Sequence, residues 1–151
     1  MTYQIYPSGE NTVSYHDVVD YIVGVCREYE ITLLKIGYDK WSAQYMVDDL
    51  IGQGFVLDDV RMGENLMPVI QEFEGHLRDH RLKIVNNALL KSHFLNVALK
   101  SSVETRRFKP VKVDKKAHID GFIAVNAALC MRQKYNNEIG VLLENERLSK
   151  K

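Results

Sequence analysis

The sequence predicts an α/β layer fold, because short β-rich runs alternate with amphipathic helical stretches along the chain. Size agrees, since 151 residues make one domain that can bury a real core. Composition agrees too: 46% hydrophobic residues is ordinary for a globular chain and too high for wholesale disorder. No internal repeat, low-complexity linker or second-domain boundary interrupts the pattern. A mixed, partly parallel sheet with flanking helices is the expected architecture.

Residues 14–30 read as the first helix. Ser14 and Asp17 supply an S-x-x-D start, and Val18, Val19, Ile22, Val23, Val25 and Cys26 recur at helical spacing. Residues 31–38 (ITLLKIGY) lack a polar face, as expected of a central strand covered on both sides, and they stop at Asp39. Residues 41–51 are helical, with Trp41, Tyr45, Met46 and Leu50 on one side and Gly52 and Gly54 to end the helix. Residues 55–61 form a second strand, whose Asp58-Asp59 pair suits an edge. Asn65 is expected to cap a third helix reaching residue 79, with Pro68 in its first turn and Met67, Ile70, Phe73 and Leu77 as its apolar stripe. A short strand over 81–85 and a helix over 88–100, carrying Leu89, Leu90, His93, Phe94 and Val97, come next. Residues 108–113 read as an irregular strand broken by Pro110, and Asp120 opens the last strong helix, which runs to residue 135. A charged tail, helical or frayed, occupies 136–151, its charges gathered in 144–151.

The net charge is zero, yet residues 1–80 carry 14 acidic and 5 basic side chains while residues 81–151 carry 6 acidic and 15 basic. The second half therefore has the charge of a phosphate-binding face, unless the two halves neutralise each other across the fold. No apolar run reaches the length of a membrane span, and MTYQIYPSGE has no basic segment leading into an apolar one. Neither an anchor nor a signal peptide is expected. Cys26 and Cys130 lie in apolar helical patterns and are expected as buried thiols of a reducing cytoplasm.

Two aspartates stand out by position. Asp39 ends the best central-strand candidate, where α/β sheets place ligands and catalytic groups. Asp120 begins the last long helix, in His118-Ile119-Asp120-Gly121. Each has a structural alternative, a turn residue for Asp39 and a helix cap for Asp120. Together they would offer two hard oxygen donors to Mg2+ or Mn2+, and two-metal nucleases use such carboxylates. Between Lys100 and Lys116 lie Arg106, Arg107, Lys109, Lys112 and Lys115, against only Glu104 and Asp114. The run directly precedes Asp120, so a DNA backbone held there would be delivered to the candidate metal site; a solvated loop is the alternative. Phe108 alone is too little for base stacking. His93 and Asn96 share one helix, and a buried histidine with a hydrogen-bonded partner is the plain reading of that pair. His16, His76, His80 and His118 have no partners at zinc-site spacing, and neither a glycine-rich phosphate loop nor a G-x-S-x-G is present. Glu10, Glu28, Asp48, Asp49, Asp58 and Asp59 read as surface charge.

Longer strings carry a resemblance. Tyr38-Asp39-Lys40-Trp41-Ser42-Ala43-Gln44, followed by Asp49-Leu50 and Gly54-Phe55, resembles the Y-D-x-W-x-A block of phage terminase large subunits. Pro7-Ser8-Gly9-Glu10-Asn11-Thr12-Val13 with Tyr15 resembles that family's P-G-N-x-I-D-Y approach to its first nuclease-domain helix. Phe73-Glu74 is similar to a later helix, and Leu89-Leu90-Lys91 with His93 and Asn96-Val97 to the N-P-L-L-R-W-H-x-x-N-V segment. Lys112 and Ile119-Asp120-Gly121-Phe122-Ile123-Ala124, with Ala127-Ala128-Leu129, are similar to the K-I-D-G ending. Ser92 stands at the family's tryptophan, and Arg61-Met62-Gly63 where a glutamine usually precedes the glycine.

The matches are collinear over residues 5 to 130. They imply a ribonuclease H-like nuclease over residues 1–135 that cleaves concatemeric viral DNA, with Asp39 and Asp120 as two of three carboxylates in an Mg2+ or Mn2+ site. The resemblance further implies double-stranded DNA, a terminase ATPase domain, the small terminase subunit and the portal as partners, in the host cytoplasm and with no membrane. By the same resemblance, the family's opening strand, its first metal-binding aspartate and the ATPase motor are expected to lie outside this chain, leaving the sheet incomplete at its N-terminus. Asp17 or Asp114 could substitute for that aspartate, though nothing in the sequence recommends either. Two other readings stay open: a catalytically incomplete fragment acting as a binding or structural module, and another ribonuclease H-like enzyme such as a resolvase or transposase, against which the Y-D-x-W and I-D-G blocks argue.

Overall fold

The computed structural model describes residues 14–41 and 44–149, without the side chains of Gln44, Tyr45 and Glu146. The P-S-G-E-N stretch with Thr12 and Val13, the Ser42-Ala43 pair and the last two lysines lie outside the described residues. The architecture is mixed α/β, with six α-helices, one 3-10 turn and two two-stranded sheets among the described residues. Its contacts group into two units, 1–36 with 41–57, and 37–40 with 58–151.

In the first unit, α1 (Tyr15–Glu28) packs against α2 (Gln44–Gly52) around Val19, Val47 and Leu50. Ser14 caps α1 as its S-x-x-D pattern predicts, the hydroxyl accepting the Asp17 N–H at 3.5 Å. Both helices stop alike. Glu30 (φ 51°) and Gly54 (φ 87°) take the left-handed conformation, and the next N–H, of Ile31 or Phe55, bonds the carbonyl of Cys26 or Leu50. This arrangement satisfies carbonyls that a helix end leaves orphaned. It also removes Ile31, the first residue of the expected 31–38 strand, from any ladder. Trp41, expected on the apolar side of α2, precedes that helix and is 94% exposed.

β1 (Ile36–Tyr38) pairs with β2 (Leu57–Asp59). Ile36 N–H donates to Val56 C=O at 2.9 Å and Val60 N–H to Tyr38 C=O at 2.8 Å. The bonds advance the same way on both strands, so the pairing is parallel. Each strand is three residues long, shorter than the runs 31–38 and 55–61, and β1 is half-buried where two-sided cover was expected.

The second unit holds the larger core. A 3-10 turn (Gly63–Leu66) leads into α3 (Met67–Arg78), with Pro68 in the first turn as predicted. Asn65 is not the cap: it lies inside the turn and its Nδ2 donates to Met62 C=O at 3.2 Å. No strand forms over 81–87; Arg81 N–H is spent on the His76 carbonyl at the end of α3, after His80 at φ 54°. Asn87 caps α4 (Ala88–Leu95), accepting the Leu90 N–H at 2.9 Å. The helix expected over 88–100 ends there, and β3 (Val97–Ser101) follows. Phe94 and Val97 both pack on the core, so their spacing mimics a helix stripe although the backbone changes conformation at Asn96.

β4 (Phe108–Lys112) pairs antiparallel with β3, from Val97 opposite Lys112 to Ser101 opposite Phe108. Pro110, expected to break this strand, sits opposite Leu99 in unbroken register. A two-stranded sheet gives it an edge position, where a missing N–H is tolerated. α5 (Asp120–Lys134) and α6 (Asn136–Ser149) complete the chain. Phe73, Phe94 and Phe122 meet as a triangle of rings with centroids 5.5, 5.6 and 5.9 Å apart, joining α3, α4 and α5.

α5 also lies directly on β1. A Cβ on Gly37 would come within 2.9 Å of Met131 Cγ and Val60 Cγ2 and 3.0 Å of the Ala127 carbonyl oxygen, so the approach requires glycine. Asp58, read as surface charge, is instead a tertiary anchor. Its Oδ2 accepts the Lys134 ammonium and, at 2.5 Å, the Tyr135 hydroxyl. Those bonds, from Lys134 first, hold its carboxyl below the usual range and outweigh the burial that pushes it up. Both cysteines are free thiols, and burial pushes the Cys130 thiol up.

Gly37→Ala is expected to destabilise the chain by about 1–3 kcal/mol, seen as a lower urea midpoint; an unchanged midpoint would show that Met131 swings clear at no cost. The Asp58 carboxyl is depressed in the folded state, so its contribution is present above the unfolded carboxylate range and is lost as pH falls through the folded value. Asp58→Asn should therefore be less stable at neutral pH and lose less stability than the parent between about pH 5 and pH 3. Thermal melts across that range check it, and parallel curves would refute the anchor.

Candidate functional site

Asp39 directly follows β1 and is half-buried. Asp120 is the first residue of α5, so the two candidate carboxylates ride on elements in direct contact at Gly37. Asp120 is not the helix cap. Ile119 stands at the cap position, 9% exposed and with no side-chain hydrogen bond to offer. The Asp120 side chain is left 77% exposed, with His118 Nδ1 3.6 Å away. A first-turn carboxylate still suits the helix dipole, but the capping alternative is not realised.

The first turn of α5 is satisfied from another helix. Gly121 N–H donates to His93 Nδ1 at 2.8 Å. A Cβ on Gly121 would lie 2.8 Å from Leu90 Cδ1 and 3.0 Å from that same nitrogen. Asn96, which ends α4, donates from Nδ2 to the His118 carbonyl at 3.2 Å, and its own carbonyl accepts the Val113 N–H at 2.9 Å. The His93 and His118 rings stand 6.3 Å apart. Ser92, in place of the tryptophan of the resembling segment, turns its hydroxyl back to the Leu89 carbonyl at 2.7 Å.

Asp39 and Asp120 have hard oxygen donors of the kind that Mg2+ or Mn2+ takes, so the chemistry of these two side chains fits such an ion. Among the described residues, no three His, Cys, Asp or Glu side chains gather to hold a metal ion. Asp114, the alternative third ligand, is used within its own loop, where Oδ1 accepts the Lys116 N–H at 2.8 Å. Asp17 lies in the first turn of α1. Of the other histidines, His16 Nδ1 lies 3.0 Å from Asp49, and His76, 8% exposed, lies 2.9 Å from Glu72 and 3.1 Å from Arg132 of α5.

The basic run becomes a hairpin and the loop after it. Arg106 and Arg107 lie between β3 and β4, Lys109 and Lys112 on β4, and Lys115 and Lys116 in the loop leading to α5. All six are exposed. The tip is held by Ser102, whose N–H donates to the Arg107 carbonyl at 2.7 Å while its hydroxyl accepts the Thr105 N–H at 3.3 Å; Arg106 takes φ 53°. Lys100, at the start of the run, stands directly opposite Lys109. Like charges facing across a strand pair are unfavourable. No spacing in the sequence signals this pairing, because it depends on the register of the hairpin.

Among the described residues no helix is long and apolar enough to cross a membrane. The family model described as the terminase large subunit, endonuclease domain, matches residues 5–135. Among solved structures, the chain is similar to the crystal structure of the HK97 bacteriophage large terminase, with a TM-score of 0.66 and 19% identity over 78% of this chain and 24% of that one. It is also similar to the large terminase nuclease from thermophilic phage G20c, with a TM-score of 0.63 and 12% identity over 79% of this chain and 63% of that one. The chain thus spans about a quarter of the first relative and under two thirds of the second. At these identities the likeness shows the fold, which is the ribonuclease H-like α/β arrangement of terminase nucleases. No curated protein matches. With most of its length matched by the family model, the chain belongs to the family of terminase large-subunit endonuclease domains.

Proposed function

We propose that this chain is the metal-dependent endonuclease module of a viral genome-packaging terminase and cleaves concatemeric DNA. Residues 1–135 form the module and 136–151 a charged tail. The observation that carries the reading is Asp120: its carboxylate is exposed at the start of α5, and capping does not consume it. Asp39 and Asp120 would hold Mg2+ or Mn2+ as part of a larger donor set. The bound ions would activate water and stabilise the leaving oxygen at the phosphodiester. Arg106, Arg107, Lys109, Lys112, Lys115 and Lys116 bind the DNA backbone and orient it towards α5. The facing Lys100 and Lys109 support this role, since a phosphate chain would relieve their repulsion. Double-stranded DNA, the terminase ATPase domain, the small subunit and the portal are the partners, and the host cytoplasm is the place of action. A second reading is favoured by one observation, that no three-donor cluster exists among the described residues. It makes the chain an incomplete fragment that binds or scaffolds without cutting.

Plasmid nicking with Mn2+ or Mg2+ separates the two. Asp39→Ala and Asp120→Ala should each lower the rate by more than the roughly 10–100-fold typical of losing an outer-shell partner. Cutting that survives both substitutions would remove these residues from the site, and a parent that never cuts would favour the binding module. For the hairpin, Arg106→Ala/Arg107→Ala should weaken DNA binding and flatten the log–log salt dependence by about 0.9 for each phosphate no longer neutralised. Affinity indifferent to salt, or to the double substitution, would exclude the role.

A further inference from the structure

We infer that His93 and Asn96 form a clamp on α4 that positions Asp120 for metal binding. The inference deepens the metal-site reading above and rests on it. His93 lies in the last turn of α4 and Asn96 is its C-cap, three residues on, a spacing that keeps the two on one side of the helix end. Their bonds bracket Asp120: Asn96 Nδ2 takes the His118 carbonyl on one side and His93 Nδ1 takes the Gly121 N–H on the other. Between them Ile119 is buried. Just beyond, Phe122 packs on Phe94, which α4 carries between the two clamp residues. The backbone at Asp120 is therefore held on both sides while its carboxylate stays exposed.

Stability alone would be served more simply. A Ser, Thr, Asn or Asp at position 119 would cap α5 locally, whereas Ile119 offers no such group. The first-turn donor is instead satisfied from α4, which ties the position of Asp120 to a second helix. A backbone N–H can only donate, so His93 accepts at Nδ1 and carries its proton at Nε2. Gly121 makes the contact possible, because any Cβ there would strike the His93 ring nitrogen and Leu90. Partners that orient a metal ligand through its surroundings typically change metal affinity 10- to 100-fold.

The test is Mn2+ binding to the whole chain, followed by the depletion of free Mn2+ in its electron paramagnetic resonance signal. Melting curves and the exchange protection of the Gly121 amide are recorded on the same samples. His93→Ala and Asn96→Ala should each raise the half-saturating Mn2+ concentration roughly 10-fold or more, and His93→Ala should also deprotect Gly121. His93→Asn, whose amide oxygen can stand where Nδ1 stood, should restore both readouts to near the parent. His93→Gln, whose oxygen sits one bond further out, should not. If His93→Asn fails as fully as His93→Ala while both remain folded, the ring matters for packing and the clamp is overturned. The clamp is equally overturned if Asp120→Asn abolishes Mn2+ binding but His93→Ala leaves it at the parent level, an outcome that spares the metal reading. A parent that takes up no Mn2+, or an Asp120→Asn protein that binds it unchanged, overturns the metal reading and the clamp's role with it, whatever the Gly121 amide shows.

Discussion

The close seating of α5 on β1 at Gly37 is the constraint on which the second unit depends. With hydrogen in place of a side chain, the strand approaches Met131 and the Ala127 carbonyl closely enough that any Cβ would collide. The same helix carries Phe122 into the aromatic triangle with Phe73 and Phe94, and its last turn reaches Asp58 of β2. One helix thus touches strand and helix at successive turns along its length. Its first residue, Asp120, takes its position from that seating at Ala127 and Met131 together with the bonds from the end of α4 to the residues on either side of it.

Several polar groups in this unit are satisfied across elements rather than within them. Asp58 pairs with Lys134 and Tyr135, and Glu72 of α3 takes Gln133 of α5. His93 completes the first turn of α5 in place of a cap residue. Such bonds join helices that hydrophobic contact alone would leave free to slide, because contact between apolar surfaces is non-directional while a hydrogen bond has a defined geometry. The exception is the hairpin. Its arginines and lysines are exposed, and Lys100 faces Lys109 with unfavourable charge. A strand pair that tolerates such a cost in the free chain is suited to a polyanion that cancels it.

The fold and the candidate site were legible to different depths. The α/β class, the S-x-x-D start of α1, Pro68 in the first turn of α3 and the start of α5 at Asp120 were all readable. The change from α4 to β3 was not, because Phe94 and Val97 keep a helical spacing while both face the core. Asp39 and Asp120 could be nominated from strand-end and helix-start positions. Whether Asp120 served as a cap could not, since that turned on Ile119 occupying the position one residue earlier. Asp58 looked like surface charge because neither Lys134 nor Tyr135 lies near it in the chain.

By itself, the sequence determined what depends on near neighbours: where most helices begin, which faces are apolar, where positive charge accumulates, and the collinear strings that carry the family resemblance. Only the tertiary structure decided what depends on partners far along the chain. It set the three-residue lengths of β1 and β2, the facing of Lys100 and Lys109, and the release of Asp120 from capping. The physical reason is reach. Helix caps and turns act over about four residues, whereas 28 residues separate His93 from Gly121 and 76 separate Asp58 from Lys134.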